Sequence, residues 1–314
     1  MMSKCNILIL SDQSEHSGSV ISWLAQCWND TGYGVIFSDH LSAAHQADIA
    51  VVHVDATNVP TDYLSRARVF PTSINGSCAS ISKDLFSSNM LKIDSDYSGQ
   101  VIVKTLANYG GLPEFQRMEL SRYKRKIAEL SQRIALSERP ATRPVKSWAW
   151  KNLQTLDPSN YPRFASTKDV PRAIWKNKRL TAERFKPEKM SDGRYVLRHW
   201  YFLGDREFCR TLICKSPIPK WASMDDDERD QSRAEWFEID ASGKADVPPE
   251  IRRVREVLKM DFGRIDWAIH NGEPVAFDAN KTPAGLGSIC LESELGRRRY
   301  EVMRQFSEGI ADFL

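Results

Sequence analysis

The stretch that most constrains this chain is Asp261–Pro283, which reads DFGRIDWAIHNGEPVAFDANKTP. Apolar residues alternate at Ile265, Trp267 and Ile269, and again at Val275, Phe277 and Ala279, with Asn271-Gly272 between them. Period-two alternation on both sides of a turn signal predicts a β-hairpin. If the two apolar sets share one buried face, Asp266 stands opposite Asp278 and Arg264 opposite Asn280. A two-residue Asn-Gly turn would pair Asp266 with Phe277, so the pattern predicts a longer turn that includes Glu273. The polar face then carries Arg264, Asp266, Asp278 and Asn280 as neighbours about 5 Å apart across the strands. Asp and Asn supply the hard oxygen ligands that Mg²⁺ prefers, and Arg264 suits charge developing on a transferred group. The alternative is an amphipathic hairpin whose polar face meets water.

Composition narrows the setting. A chain of 314 residues holds two or three domains with a sizeable core. Charged residues make up 27%, yet the net charge is only +3, which argues against nucleic acid as a partner. No apolar run approaches the roughly 18 residues of a membrane span. The early run CNILIL reads as a strand and not as a signal peptide. Cys5, Cys27, Cys78, Cys209, Cys214 and Cys290 lack C-x-x-C spacing, which predicts free thiols and a cytoplasmic protein.

The N-terminal third reads as α/β. Residues 5–10, Val35–Phe37 and Asp48–Val54 are short apolar strands, and Ser17–Asn29 and Val59–Val69 are helical. Strands alternating with helices predict a parallel sheet, whose ligands bind beyond the carboxyl ends of the strands. Ser11, Asp12, His53 and Asp55 occupy those ends and are candidate acceptor-substrate contacts; ordinary strand-end turn residues are the alternative. No G-x-G-x-x-G follows the first strand.

Asn75-Gly76 marks the exit from this region. Gln100–Lys104 is a strand that ends in lysine, followed by the flexible TLANYGG; an ammonium and glycine-loop amides suit a phosphate clamp, and a plain turn is the alternative. Residues 116–138 predict an exposed helix with apolar positions at Met118, Leu120, Ile127, Leu130, Ile134 and Leu136. Pro140, Pro144, Pro158, Pro162 and Pro171 predict mostly loop with short helical pieces over 139–172, suited to a lid. TAERFKPE ends a strand, and Tyr195–Lys215 gives two strands around Gly204-Asp205, bearing Arg198 and Arg210 where they could face a cleft. Pro249–Lys259 is an amphipathic helix, and the last helix carries an apolar stripe through Tyr300, Val302, Met303, Phe306, Ile310 and Phe313 that predicts core packing.

In order along the chain, VIVK with its glycine loop, ERF, the arginine-bearing hairpin, GRID and FDAN resemble the ATP-grasp superfamily of carboxylate–amine ligases. The glutathione synthetase and ribosomal-protein glutamate ligase branch is the nearest in pattern. The resemblance implies an ATP-grasp fold with an N-terminal parallel-sheet α/β domain over 1–75, a central lid and phosphate-loop subdomain over 76–185, and a C-terminal subdomain with the metal site over 186–314. It implies that Asp266, Asp278 and Asn280 bind Mg²⁺ (or Mn²⁺), with Asp278 in place of the more usual Glu. Lys83 and Lys104 would contact the phosphates of ATP, with Asn108, Gly110 and Gly111 as the phosphate loop. Glu183, Arg184 and Phe185 would sit at the adenine and ribose. Arg264 would hold an acyl phosphate, with Arg198 and Lys104 as further catalytic groups and Arg210 as a substrate contact.

The implied reaction joins a carboxylate to an amine, both small molecules or peptides, through an acyl phosphate, releasing ADP and phosphate. A homodimer is compatible with it. The alternatives are a small-molecule kinase of the same fold and a nucleotide-binding regulatory protein without turnover.

Overall fold

A computed structural model describes residues 5–12, 18–39, 46–137, 142–158 and 160–314. The chain divides into two compact units, Met1–Ile81 with Pro187–Leu314, and Ser82–Lys186.

In the first unit, β1 (Asn6–Ser11), β2 (Gly34–Ser38), β3 (Ile49–His53) and β4 (Thr72–Ile74) form a parallel sheet in the order β2-β1-β3-β4. Between them lie α1 (Val20–Asp30) and α2 (Thr61–Ala67). The expected start of α1 at Ser17 lies outside the described residues. The helix begins after Ser19, whose hydroxyl accepts from the Ser22 N–H and satisfies one orphan donor of the first turn. Three-residue β4 is too short to show alternation and was not expected. Both faces of β1 and β3 are apolar because helices cover a parallel sheet on both sides.

The second unit holds β5 (Val101–Thr105), α3 (Leu112–Arg117), α4 (Arg122–Ala135), α5 (Arg143–Asn152), β6 (Arg163–Phe164), α6 (Arg172–Trp175) and β7 (Leu180–Arg184). Its sheet has the order β6-β5-β7, antiparallel throughout. One expectation fails here. The helix read over 116–138 is two helices broken at Met118–Ser121, and α4 buries Ala128, Ser131 and Ala135 while Leu130 is exposed. Small residues line the buried stripe because α5 packs there, so bulk was the wrong guide. Within the proline-rich 139–172 the expected short helical pieces include a longer one: α5 runs for 10 residues and starts with Pro144 in its first turn, where the missing N–H costs nothing.

Returning to the first unit, β8 (Glu188–Lys189), β9 (Tyr195–Leu203), β10 (Arg206–Cys214), β11 (Phe262–His270) and β12 (Glu273–Asn280) form an antiparallel sheet in the order β10-β9-β11-β12, with β8 on β9. Three helices accompany them: α7 (Asp226–Ala234), α8 (Pro249–Leu258) and α9 (Glu294–Ser307). Arg252 and Arg255 of α8 stack on Trp200 and Phe202, one face of the sheet. On the other face Tyr201, Phe208 and Phe262 join Trp23, Trp28, Phe306 and Ile310 in one core, as the C-terminal stripe predicted.

Both chain ends therefore build one body. The Trp28 indole donates to the Ser307 carbonyl and that of Trp23 to Gly287. Asn75, fully buried and at φ 58°, accepts from the Asp261 and Phe262 N–H groups and donates to the Phe262 carbonyl.

Among the described residues no helix is long and apolar enough to cross a membrane, and all six cysteines are free.

Candidate active site

The β11–β12 hairpin has the predicted pairing at its polar end, Arg264 opposite Asn280 and Asp266 opposite Asp278, but not the predicted turn. His270 pairs Glu273 around a two-residue Asn271-Gly272 turn with φ of 51° and 83°. Positive φ at both positions is what the twist-compatible hairpin turn requires. The register slips between Asp266 and Trp267, so that Trp267 pairs Ala276. Phe277 is the extra residue of this β-bulge, and it packs against Leu197, Leu212, Cys214 and Met224 instead of sharing a face with Ile265 and Ala279. A bulge reconciles the short turn with the carboxylate pairing.

Sheet register carries this polar row further than the sequence suggested. Asp266 stands opposite His199 on β9, and His199 opposite Arg210 on β10. One face of the sheet thus presents Arg210, His199, Asp266 and Asp278 in a row, with Tyr201, Arg264 and Asn280 in the next. Asp266 is only 3% exposed. Arg264 Nη2 donates to its Oδ2 at 3.1 Å, and Arg264 Nε lies 2.7 Å from Oδ1 without aligning its N–H on that oxygen. Burial pushes the Asp266 carboxyl up, Arg264 and Lys220 oppose this, and Asp278 adds to it. Burial also works against the Arg264 charge, but Asp266 outweighs it and raises the guanidinium further. His199, 3.8 Å from Asp266, is driven well below the usual imidazole range by burial and by Arg264, Arg210 and Lys220, so it is neutral at pH 7.

The two hairpin arginines separate. Arg198 falls on the opposite face from Asp266, forks onto the Glu188 carboxylate and stacks on Trp267, 5.1 Å from its ring centre. Of the expected catalytic groups, Arg198 and Arg264 thus stand on opposite faces of this sheet. Arg210 lies on the Asp266 face, 6% exposed. It donates to the Ser232 carbonyl and hydroxyl at 2.9 Å each and stacks on Trp236.

Asp12 and Asp55 are adjacent, with the Asp12 carboxylate accepting from the Asp55 N–H at 3.0 Å. Asp55 also accepts from the Thr282 hydroxyl, two residues beyond Asn280, at 3.1 Å. His53 is buried and stacked on Phe262. Lys281, which sequence reasoning passed over, is 1% exposed and donates to the Ala56 and Thr57 carbonyls. Its ammonium fixes the loop after β3 to the end of β12. His199, Tyr201, Trp236 and Arg299 were also missed; the period-two spacing of His199 and Tyr201 with Leu197 was the only available signal.

The second unit holds a separate polar cluster. Lys104 and Glu183 are buried and pair at 3.1 Å, and the Ser87 hydroxyl donates to the other Glu183 oxygen at 2.8 Å. Lys83 is buried at the start of a short 3₁₀ turn. Arg184 stacks on Tyr97, and Phe185 lies beneath Arg163. The glycine loop behaves differently from an open cradle. Tyr109, Gly110 and Gly111 all have positive φ, the Gly111 N–H donates to the Asn108 carbonyl, and the Gly110 carbonyl accepts from Leu156. A Cβ on Gly110 would lie 1.9 Å from the Leu156 oxygen. These glycines admit the close passage of residues 154–158.

Among the described residues, no group of three or more His, Cys, Asp or Glu converges as a metal site. Asp266, Asp278 and the Asn280 amide are the oxygen donors that could hold a cation here. The chain is thus an α/β protein with a parallel layer, and an antiparallel sheet whose face gathers buried opposite charges.

No family model matches the sequence, and no curated protein matches it. Among solved structures it is similar to the D-cycloserine synthetase DcsG, with 11% identity over 98% of this chain and 99% of that one, at a TM-score of 0.45. A RimK domain ATP-grasp protein from Sphaerobacter thermophilus has 10% identity over 98% and 99%, at 0.43. A D-alanine–D-alanine ligase from Bacillus anthracis has 10% identity over 98% and 96%, at 0.40.

Proposed function

We propose that this chain is an ATP-grasp carboxylate–amine ligase that forms an amide through an acyl phosphate, releasing ADP and phosphate. The observation that carries this reading is the cross-strand row of Arg264, Asp266, Asp278 and Asn280. Two carboxylates and an amide oxygen, with a half-buried guanidinium beside them, are the groups that phosphoryl transfer to a carboxylate calls for.

Mg²⁺ fits this donor set. Asp266 Oδ1 is buried without a well-aligned hydrogen bond, and Asp278 and Asn280 stand across from and diagonal to it. When bound, the ion would spread the charge of the γ-phosphate. The chain's own residues do the rest. Arg264, held protonated by Asp266, stabilises the anionic acyl phosphate. Neutral His199 keeps a second cation away from Asp266. Lys104, oriented by Glu183, and Lys83 are assigned to the nucleotide phosphates, and Arg184 and Phe185 to its base and ribose. Asp12 and Asp55, fixed to Thr282, and Arg210 are assigned to the acceptor.

The test is product analysis with MgATP, mixed amino acids and small amines, and hydroxylamine in a parallel tube. ADP, phosphate and a hydroxamate are expected. AMP with pyrophosphate would overturn the acyl-phosphate route, and a stable phosphorylated alcohol would replace the ligase with a kinase.

A further inference from the structure

One arginine of α9 has no part in that account. Arg299 is half-buried, its Nη1 donates to the Leu286 carbonyl at 3.1 Å, and its guanidinium lies 5.4 Å from the Trp236 ring centre. Arg210 lies 4.6 Å from the same centre. Two guanidiniums therefore share one indole. Like-charge proximity costs energy unless an anion offsets it. Arg233, itself paired to Asp230 at 2.6 Å, adds a third cation within electrostatic reach of Arg299, whose charged form is disfavoured by burial first and then by Arg210 and Arg233.

The local carboxylate is Glu235, and it is poorly placed to compensate. It reaches Arg210 only at 3.8 Å and accepts from the Thr211 N–H, and burial raises its pKa. Nε of Arg210 and Nε of Arg299 are both buried and without a hydrogen-bond partner. Buried donors left unmet are costly, and an anion placed here would meet both. The position is informative as well. Arg210 is two strands from Asp266, about 10 Å at ordinary strand spacing, and Leu286 belongs to the loop that follows Asn280.

We propose that Arg299 and Arg210, held on Trp236, bind a second anionic group of the substrate, a carboxylate or phosphate about 10 Å from the Asp266 end of the sheet face. Half-exposed Arg299 makes first contact and the deeper Arg210 completes the site. This rests on the ligase reading only for what lies at the Asp266 end.

The test is calorimetric titration of the full chain, with and without saturating MgADP. The probes are suberate, whose ends span that distance, its monoamide, and the matching ω-phosphono acid. One charge-assisted contact predicts that suberate or the phosphono acid binds at least about tenfold more tightly than the monoamide. The better of the two assigns carboxylate or phosphate. Arg299→Gln should remove the ratio, and Arg299→Lys should restore part of it, since a point charge lacks the fork. Both variants should unfold at the wild-type temperature. A wild-type ratio near one, or a ratio unchanged in Arg299→Gln, overturns the proposal. Tight suberate binding in a chain that ignores MgADP would keep the anion site and remove the ligase; MgADP binding with a ratio near one would do the reverse.

Discussion

Arg264 and Asp266 are two residues apart on one strand, the first half-buried and the second buried, so each is the other's condition for carrying charge. Asp266→Asn leaves the guanidinium uncompensated and should cost about 3–5 kcal/mol in urea unfolding. Asp278 lies at the end of the row and is partly exposed. Asp278→Asn should therefore change stability by no more than about 1 kcal/mol, while reducing Mg²⁺-dependent ATP consumption. Equal stability losses in the two variants would contradict this division. Glu188 tests a different charge. Burial pushes its carboxyl up, but the Arg198 fork and the Ile269 N–H outweigh burial and hold it below the usual carboxylate range. A depressed folded pKa contributes stability above the unfolded value, near pH 4.3, and that stability fades as pH falls through the folded value. Unfolding curves of wild type and Glu188→Gln should differ by a constant amount from pH 7 to about pH 5 and converge below about pH 4.

The hairpin is where element and site meet. Gly263 is extended, and a Cβ there would lie 2.6 Å from the Asn280 carbonyl oxygen and 2.4 Å from Met260 Cε. Gly263→Ala should cost about 1–3 kcal/mol of stability by overpacking, and should weaken Mn²⁺ binding by displacing Asn280. Wild-type Mn²⁺ affinity in this variant would mean that Asn280 is no ligand. This element also shows what a sequence conveys. Alternation gave both strands and the pairing of Asp266 with Asp278, because period and charge are local properties. The bulge was hidden, because what draws Phe277 away is Leu197, Leu212 and Met224 on distant segments. Arg198 and Arg210 were indistinguishable for a similar reason. Which parity of a strand faces the site depends on the neighbouring strand's register, and α8 claims the face that holds Arg198's neighbours Trp200 and Phe202. Pro144 read as loop because proline excludes helix interiors, whereas its first turn accepts it.

At the scale of the molecule, the parallel sheet and the antiparallel sheet are far apart in sequence yet share one core, and polar contacts fix one on the other. Lys281 holds the β12 end to Ala56 and Thr57, the Pro283 and Gly18 carbonyls accept from Val20 and Gly285, and Asn75 binds the start of β11. The last contact is the most demanding. Asn75 satisfies the N–H groups of Asp261 and Phe262 and the Phe262 carbonyl, and its own N–H donates to the Asp261 carboxylate at 2.7 Å. It does so in a left-handed backbone conformation that Asn tolerates better than most side chains. Asn75→Ala strands three backbone groups and places alanine at positive φ. At about 1 kcal/mol per net hydrogen bond, with strain added, the loss should be about 3–5 kcal/mol. The response should also be local. Hydrogen exchange should accelerate in peptides covering 72–78 and 258–266, while those covering 101–105 and 180–184 keep wild-type protection, because β5 and β7 belong to the other compact unit. Unchanged exchange over 258–266 would show that the shared apolar core alone holds β11 in register, and that Asn75 serves only its own turn.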